Sequence, residues 1–170
     1  MRKKTKNSGF TLLEFIIYIA VFAIVILGIV TFMLFTIQSR VKNQVVAEVE
    51  QQGAQVMQMV TQTIRNGEGI NSPTIGTSAN SLSVDTIDIG VDPSIFSLSG
   101  GVIQISEAGG GAIDLTSDQI NITSLTFENN AVTGTHDTIK IEYTIEYNNP
   151  GTDIHYDYSK TFYGSATQRQ

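Results

Sequence analysis

The chain contains no cysteine among its 170 residues. That excludes disulfides, thiolate zinc sites and cysteine nucleophiles. It does not by itself report a compartment. Basic residues are scarce after the first third: from Asn66 onward only Lys140, Lys160 and Arg169 occur. Such a surface is a poor nucleic-acid binder, because phosphate contacts need a basic face. Signatures of catalysis are also missing. "SGGV" and "AGGGA" lack the Lys-Ser/Thr of a phosphate loop, and the serines sit in no nucleophile elbow or His/Asp order. His136 and His155 have no metal-pair spacing and are read as solvent-exposed.

What is present is one extreme feature. The run from Phe15 to Ile37 holds 23 residues without a charge. As a helix it would span about 34 Å, enough for a bilayer core with modest tilt. The leader "MRKKTKNSG" carries +4, from Arg2, Lys3, Lys4 and Lys6. Residues 10–170 keep 6 basic against 16 acidic residues, a balance of −10. The positive-inside rule puts the leader in the cytoplasm and the C-terminal part outside. The run is too long for the apolar region of a secretory signal, and no small-x-small site follows it. A plain membrane anchor fits hydropathy alone. Glu14 does not fit that reading, since an acid deep in a membrane helix costs on the order of 2.5–3.5 kcal/mol and marks a functional position. Near the start of the run it could also stay hydrated at the interface.

The block Gly9-Phe10-Thr11-Leu12-Leu13-Glu14, behind a short basic leader and ahead of an apolar helix, resembles the class III signal of type IV pilins and type II secretion pseudopilins. The resemblance covers about the first 65 residues. It implies cleavage between Gly9 and Phe10 by a prepilin peptidase, and N-methylation of Phe10. Cleavage would create an α-amine of ordinary pKa about 7.7–8.0, mostly cationic at neutral pH. In apolar surroundings that amine and the Glu14 carboxylate attract strongly. The pair could form within one chain, since residues 10 and 14 share a helix face, or between subunits, which the family favours for assembly. Other pilin or pseudopilin subunits and an inner-membrane assembly platform would be the partners, with a separate cytoplasmic ATPase as motor and no cofactor. Two departures stand out: no proline breaks the second half of the membrane segment, and the cysteine pair of many pilins is absent. Both fit a minor pilin or pseudopilin, and "EFIIYIAVF" and the chain length look like the larger J-type.

Beyond the membrane the helix is expected to continue. Val41, Val45, Val49, Val56, Val60 and Ile64 form a stripe at helical period, ending near "RNGEG". That gives one helix from about Thr11 to Arg65, roughly 80 Å long. "NSPTIGTSANS" reads as loop. The period then switches to two. "SLSVDTIDI" offers Leu82, Val84 and, after a slip, Ile87 and Ile89. "VIQIS" and "AIDL" flank the hairpin signal "EAGGG". "INITSLTF" carries a phase shift at Thr123-Ser124 that predicts a bulge. "TIKIEYTIEY" alternates cleanly, "NNPGT" turns the chain, and "IHYDYSKTFYG" pairs back. The expected fold is α+β: a long N-terminal helix on an antiparallel sheet with one wet face, covered by the valine stripe. The expected organisation is leader 1–9, transmembrane helix 10–37, amphipathic continuation 38–66 and an extracytoplasmic β-rich domain 67–170.

Asp85, Asp88 and Asp92 could offer the hard oxygen ligands that calcium takes, and some pseudopilins bind calcium. Their spacing matches no compact loop motif, so they are read as turn residues. The strip Tyr143, Tyr147, Tyr156, Tyr158, Phe162 and Tyr163 is read as core and sheet surface rather than a binding groove. The sequence therefore points to a structural, non-enzymatic filament subunit. The alternative is an unprocessed, single-pass, membrane-anchored extracellular binding protein such as an adhesin or sensor.

Overall fold

The computed structural model describes residues 9–149, 151, 154 and 156–169. The leader residues before Gly9, and His155, lie outside them. The chain divides into two compact units at Val41/Lys42. Helix α1 is Leu12–Asn66, 55 residues.

In the first unit, every described residue up to Arg40 is exposed except Thr36. An 18-residue window there has a mean hydropathy of 2.9 with none of it buried in the protein. A helix apolar on all sides needs an apolar surrounding, a bilayer or other helices. Thr31 and Thr36 donate their hydroxyls to the carbonyls of Leu27 and Phe32, which removes two polar groups from the helix surface.

In the second unit, the inward face of α1 is Val45, Val49, Gly53, Val56, Val60 and Ile64, all buried. The seven-residue gap in the valine stripe is filled by Gly53. A Cβ there would lie 2.1 Å from Cζ of Phe162, so the glycine makes room for that ring. The strands are β1 (Gly67–Ser72), β2 (Ser78–Ala79), β3 (Ser81–Thr86), β4 (Ser94–Ser99), β5 (Val102–Glu107), β6 (Ile113–Asp114), β7 (Ile120–Asn129), β8 (Thr138–Tyr147) and β9 (Ser159–Thr167). They form two antiparallel sheets and not one. The first has the order β1-β3-β4-β5-β6, the second β2-β7-β8-β9.

The core joins the helix stripe to both sheets. Leu82, Val84, Phe96 and Ile103 come from the first sheet; Ile122, Phe127, Ile139, Ile141, Tyr143 and Ile145 come from the second. Each fully buried Val, Ile, Leu or Phe contributes on the order of 1.5–3 kcal/mol relative to exposure. The sheets are joined at the β4–β5 turn, where Ile122 N–H donates to the carbonyl of Gly101 at 2.8 Å. The alternation in β8 holds as the sequence predicts: Ile139, Ile141, Tyr143 and Ile145 are buried. The predicted bulge lies between Ile122 and Ser124. The β5–β6 hairpin pairs Ile105 with Ile113 across "EAGGG".

Two expectations are corrected and one strand is added. β1 begins directly after the helix, in the glycines that read as mere punctuation. β4, "SIFSLS", is a strand that the alternation in the sequence does not predict. Ile87 and Ile89 do not extend β3 after a slip. They lie in the 87–93 turn at 74% and 89% exposure. That turn is held by aspartates, which the hydrophobic pattern could not report.

Candidate functional site

The N-terminal segment is built on the first turn of α1. Thr11 stands just before the helix, and its carbonyl accepts from Phe15 N–H at 3.1 Å. Its Oγ1 accepts from Glu14 N–H at 3.3 Å. Thr11 is therefore the N-cap, and Thr11-Leu12-Leu13-Glu14 has the spacing of a capping box. The spacing is present in the sequence itself, beneath the stronger signals of the apolar run and the charge of Glu14. The Glu14 carboxylate sits in the first turn, where the helix dipole favours an anion by about 0.3–1 kcal/mol. Glu14 is exposed. It is a stable place for a carboxylate before any partner arrives.

Phe10 precedes the cap, and its ring meets Tyr18 edge-on at 5.7 Å between centroids, 63° between planes. Gly9 is exposed, and a Cβ built there would meet nothing within 4 Å. Among the described residues nothing crowds a side chain at position 9.

The other candidates separate. Asp85 accepts from the Asn71 side chain, Asp88 from Gly90 N–H at 2.9 Å, and Asp92 from Thr86 N–H at 2.9 Å. Each carboxylate is thus occupied in a turn or strand contact of its own. Among the described residues no group of three or more metal-ligating side chains could hold an ion. His136 lies exposed in the β7–β8 loop. The aromatic strip divides into a core part and a surface part. Tyr143 is fully buried, donates to the carbonyl of Gly53 at 2.6 Å, and stacks on Phe162 at 5.4 Å. Burial pushes the Tyr143 phenol well above its ordinary value of 10.0. Tyr147 stacks on Tyr156, and Tyr163 is 67% exposed.

One ion pair links α1 to β9. Lys160 Nζ donates to Glu50 Oε1 at 2.6 Å, and the Tyr158 hydroxyl donates to the same oxygen at 3.2 Å. The hydrogen bond from Lys160 is the main reason the Glu50 carboxyl lies below its ordinary value of 4.5. Loss of surrounding water opposes it, and the lysine charge and Tyr158 add to it. A carboxyl whose folded pKa is lowered adds stability above its unfolded value. That stability is lost as pH falls through the lowered folded value. Acidification below about pH 4.5 should therefore loosen β9 from the helix. Amide exchange of β9 against pH checks this. Glu50→Gln should flatten the acid limb of the profile and show already at neutral pH the same small loosening of β9 that acid gives the wild type, because it lacks the same ion pair.

Comparison with known proteins places one element. Residues 4–30 match the family model described as the prokaryotic N-terminal methylation motif. The match spans the end of the basic leader from Lys4, then Gly9, Phe10, Glu14 and the first part of the apolar helix. The chain thus carries a class III, prepilin-type signal, consistent with the type IV pilin and pseudopilin family. With an α+β architecture and an apolar N-terminal helix, this supports a pilin-like, processed, membrane-anchored protein. No curated protein and no solved structure matches the chain.

Proposed function

We propose that this chain is a structural subunit, a minor pilin or pseudopilin, of a type IV pilus or type II secretion pseudopilus. The observation that carries the reading is the conjunction at the N-terminus. A methylation motif over residues 4–30 runs into a helix whose apolar surface finds no cover among the described residues. A prepilin peptidase would cut after Gly9 on the cytoplasmic side and Phe10 would be methylated. Residues 10–37 would wait in the membrane, with residues 67–170 outside. Assembly would bring the apolar helices together in a filament core, through an inner-membrane platform. Glu14 would meet the amine of Phe10, and in a neighbouring subunit that contact would set axial register. The acidic β-rich domain would form the outer surface.

Gly9→Val tests the cleavage site. Position 9 has free space among the described residues, so valine should fold and insert normally. A peptidase cleft that accepts only glycine should reject it. The expected result is precursor of full length accumulating in membranes of peptidase-positive cells. A mature-length product from the variant would remove Gly9–Phe10 as the site.

A further inference from the structure

The contact between Phe10 and Tyr18 has no part in the roles given to Gly9, Phe10 and Glu14. We propose that Tyr18 is a positioning residue for cleavage: its ring holds Phe10 so that the Gly9–Phe10 peptide stands exposed at the entry to α1. The inference rests on the cleavage reading above and adds to it a determinant two turns inside the helix.

Residues 10 and 18 are eight apart, about 12 Å along a helix axis at the standard rise. Their rings nevertheless meet at 5.7 Å. Two features close that gap. Long side chains in a helix lean toward its N-terminus, which carries the Tyr18 ring upward. Phe10 lies before the N-cap, outside the helix, and is free to fold its ring down. A hydrophobic residue just before an N-cap commonly packs on the fourth helical residue and fixes the angle of chain entry. Here that residue is Phe15, yet the ring contact of Phe10 is with Tyr18. Within α1 the spacing of four puts Glu14 and Tyr18 on one side, and the ring contact brings Phe10, outside the helix, to that of Tyr18. With Phe10 fixed on that side, Gly9 is left exposed, with open space around its Cα. Cleavage adds one water across the Gly9–Phe10 amide, leaving a carboxylate on Gly9 and an amine on Phe10. A scissile bond held in one exposed arrangement spares the peptidase the entropy of ordering it.

The ring carries the role, and not the hydroxyl, because the contact is ring to ring. Tyr18→Leu keeps the segment apolar and helical, so membrane insertion should be unchanged. Tyr18→Phe keeps the ring. The measurement is pulse-chase conversion of full-length precursor to the shorter form, in membranes containing prepilin peptidase. The wild type should convert, Tyr18→Phe should match it, and Tyr18→Leu should be slower by roughly two- to tenfold, the range of an aromatic pair. If Tyr18 acts through Phe10, adding Tyr18→Leu to Phe10→Leu should slow conversion no further. Conversion of Tyr18→Leu at the wild-type rate would overturn the inference and leave the proposed function standing. So would equal slowing of Tyr18→Phe and Tyr18→Leu, which would assign the effect to the hydroxyl. Failure of the wild type to convert would take down the proposed function, and this inference with it.

Discussion

Glu14→Ala should leave the protein folded, inserted and cleaved, and reduce its incorporation into filaments about tenfold or more. The cap that Glu14 closes is separable from the assembly contact proposed for its carboxylate. Its backbone N–H, which donates to Thr11 Oγ1, closes the helix cap, and alanine retains that bond. The carboxylate adds only the helix-dipole term, about 0.3–1 kcal/mol at an exposed position. That is too little to unwind a 55-residue helix. In a filament core the balance is different. An amine left without its carboxylate in apolar surroundings costs about 3–5 kcal/mol, the loss seen when one partner of a buried pair is removed. Glu14→Gln sharpens the test, because it keeps size and polarity and removes charge. Incorporation measured by shearing and blotting filaments should fall for both variants. Normal incorporation of Glu14→Gln would show that charge is not what the position supplies.

Gly53→Val should destabilise the β-rich unit by about 3 kcal/mol. A Cβ at Gly53 lies 2.1, 2.4 and 2.6 Å from three carbons of the Phe162 ring. The ring could swing outward, but it would abandon its stack on Tyr143, whose hydroxyl is tied to the Gly53 carbonyl. Removing a helical glycine returns at most about 1 kcal/mol of propensity, and less for a β-branched residue. The clash therefore wins. Gly164 gives the contrast. A Cβ there meets Sδ of Met57 at 2.3 Å, the flexible part of a side chain that can rotate away. Gly164→Ala should cost about 1 kcal/mol or less. Thermal melts of the full chain in detergent micelles rank the two. Equal midpoints for Gly53→Val and wild type would mean that the helix and β9 are not packed as described.

The helix stripe and β8 were legible because burial imposes a period on the chain. Val45, Val49, Val56, Val60 and Ile64 repeat at one face, and Ile139 through Ile145 alternate. Gly53 was invisible as a core position because its role is the absence of a side chain. β4 escaped because Ile95 and Phe96 are adjacent, and because the inward position before Phe96 is the buried Ser94. Polar and apolar letters there do not follow inside and outside. The division into two sheets depends on how β7 meets the β4–β5 turn, a contact no local pattern encodes. At the N-terminus the sequence showed the residues of the signal, and the structure added the cap at Thr11 and the Phe10–Tyr18 contact. Both depend on where the helix begins, which is set at Leu12.

The proposed function requires that residues 1–9 be removed and that the new terminus be Phe10. Intact-mass and N-terminal peptide analysis of the protein, extracted from membranes of cells with active prepilin peptidase, tests it directly. The expected product is a chain starting at Phe10 with one methyl group on its amine. A chain that keeps Met1 through Gly9 in such cells would contradict it and favour an unprocessed membrane-anchored protein.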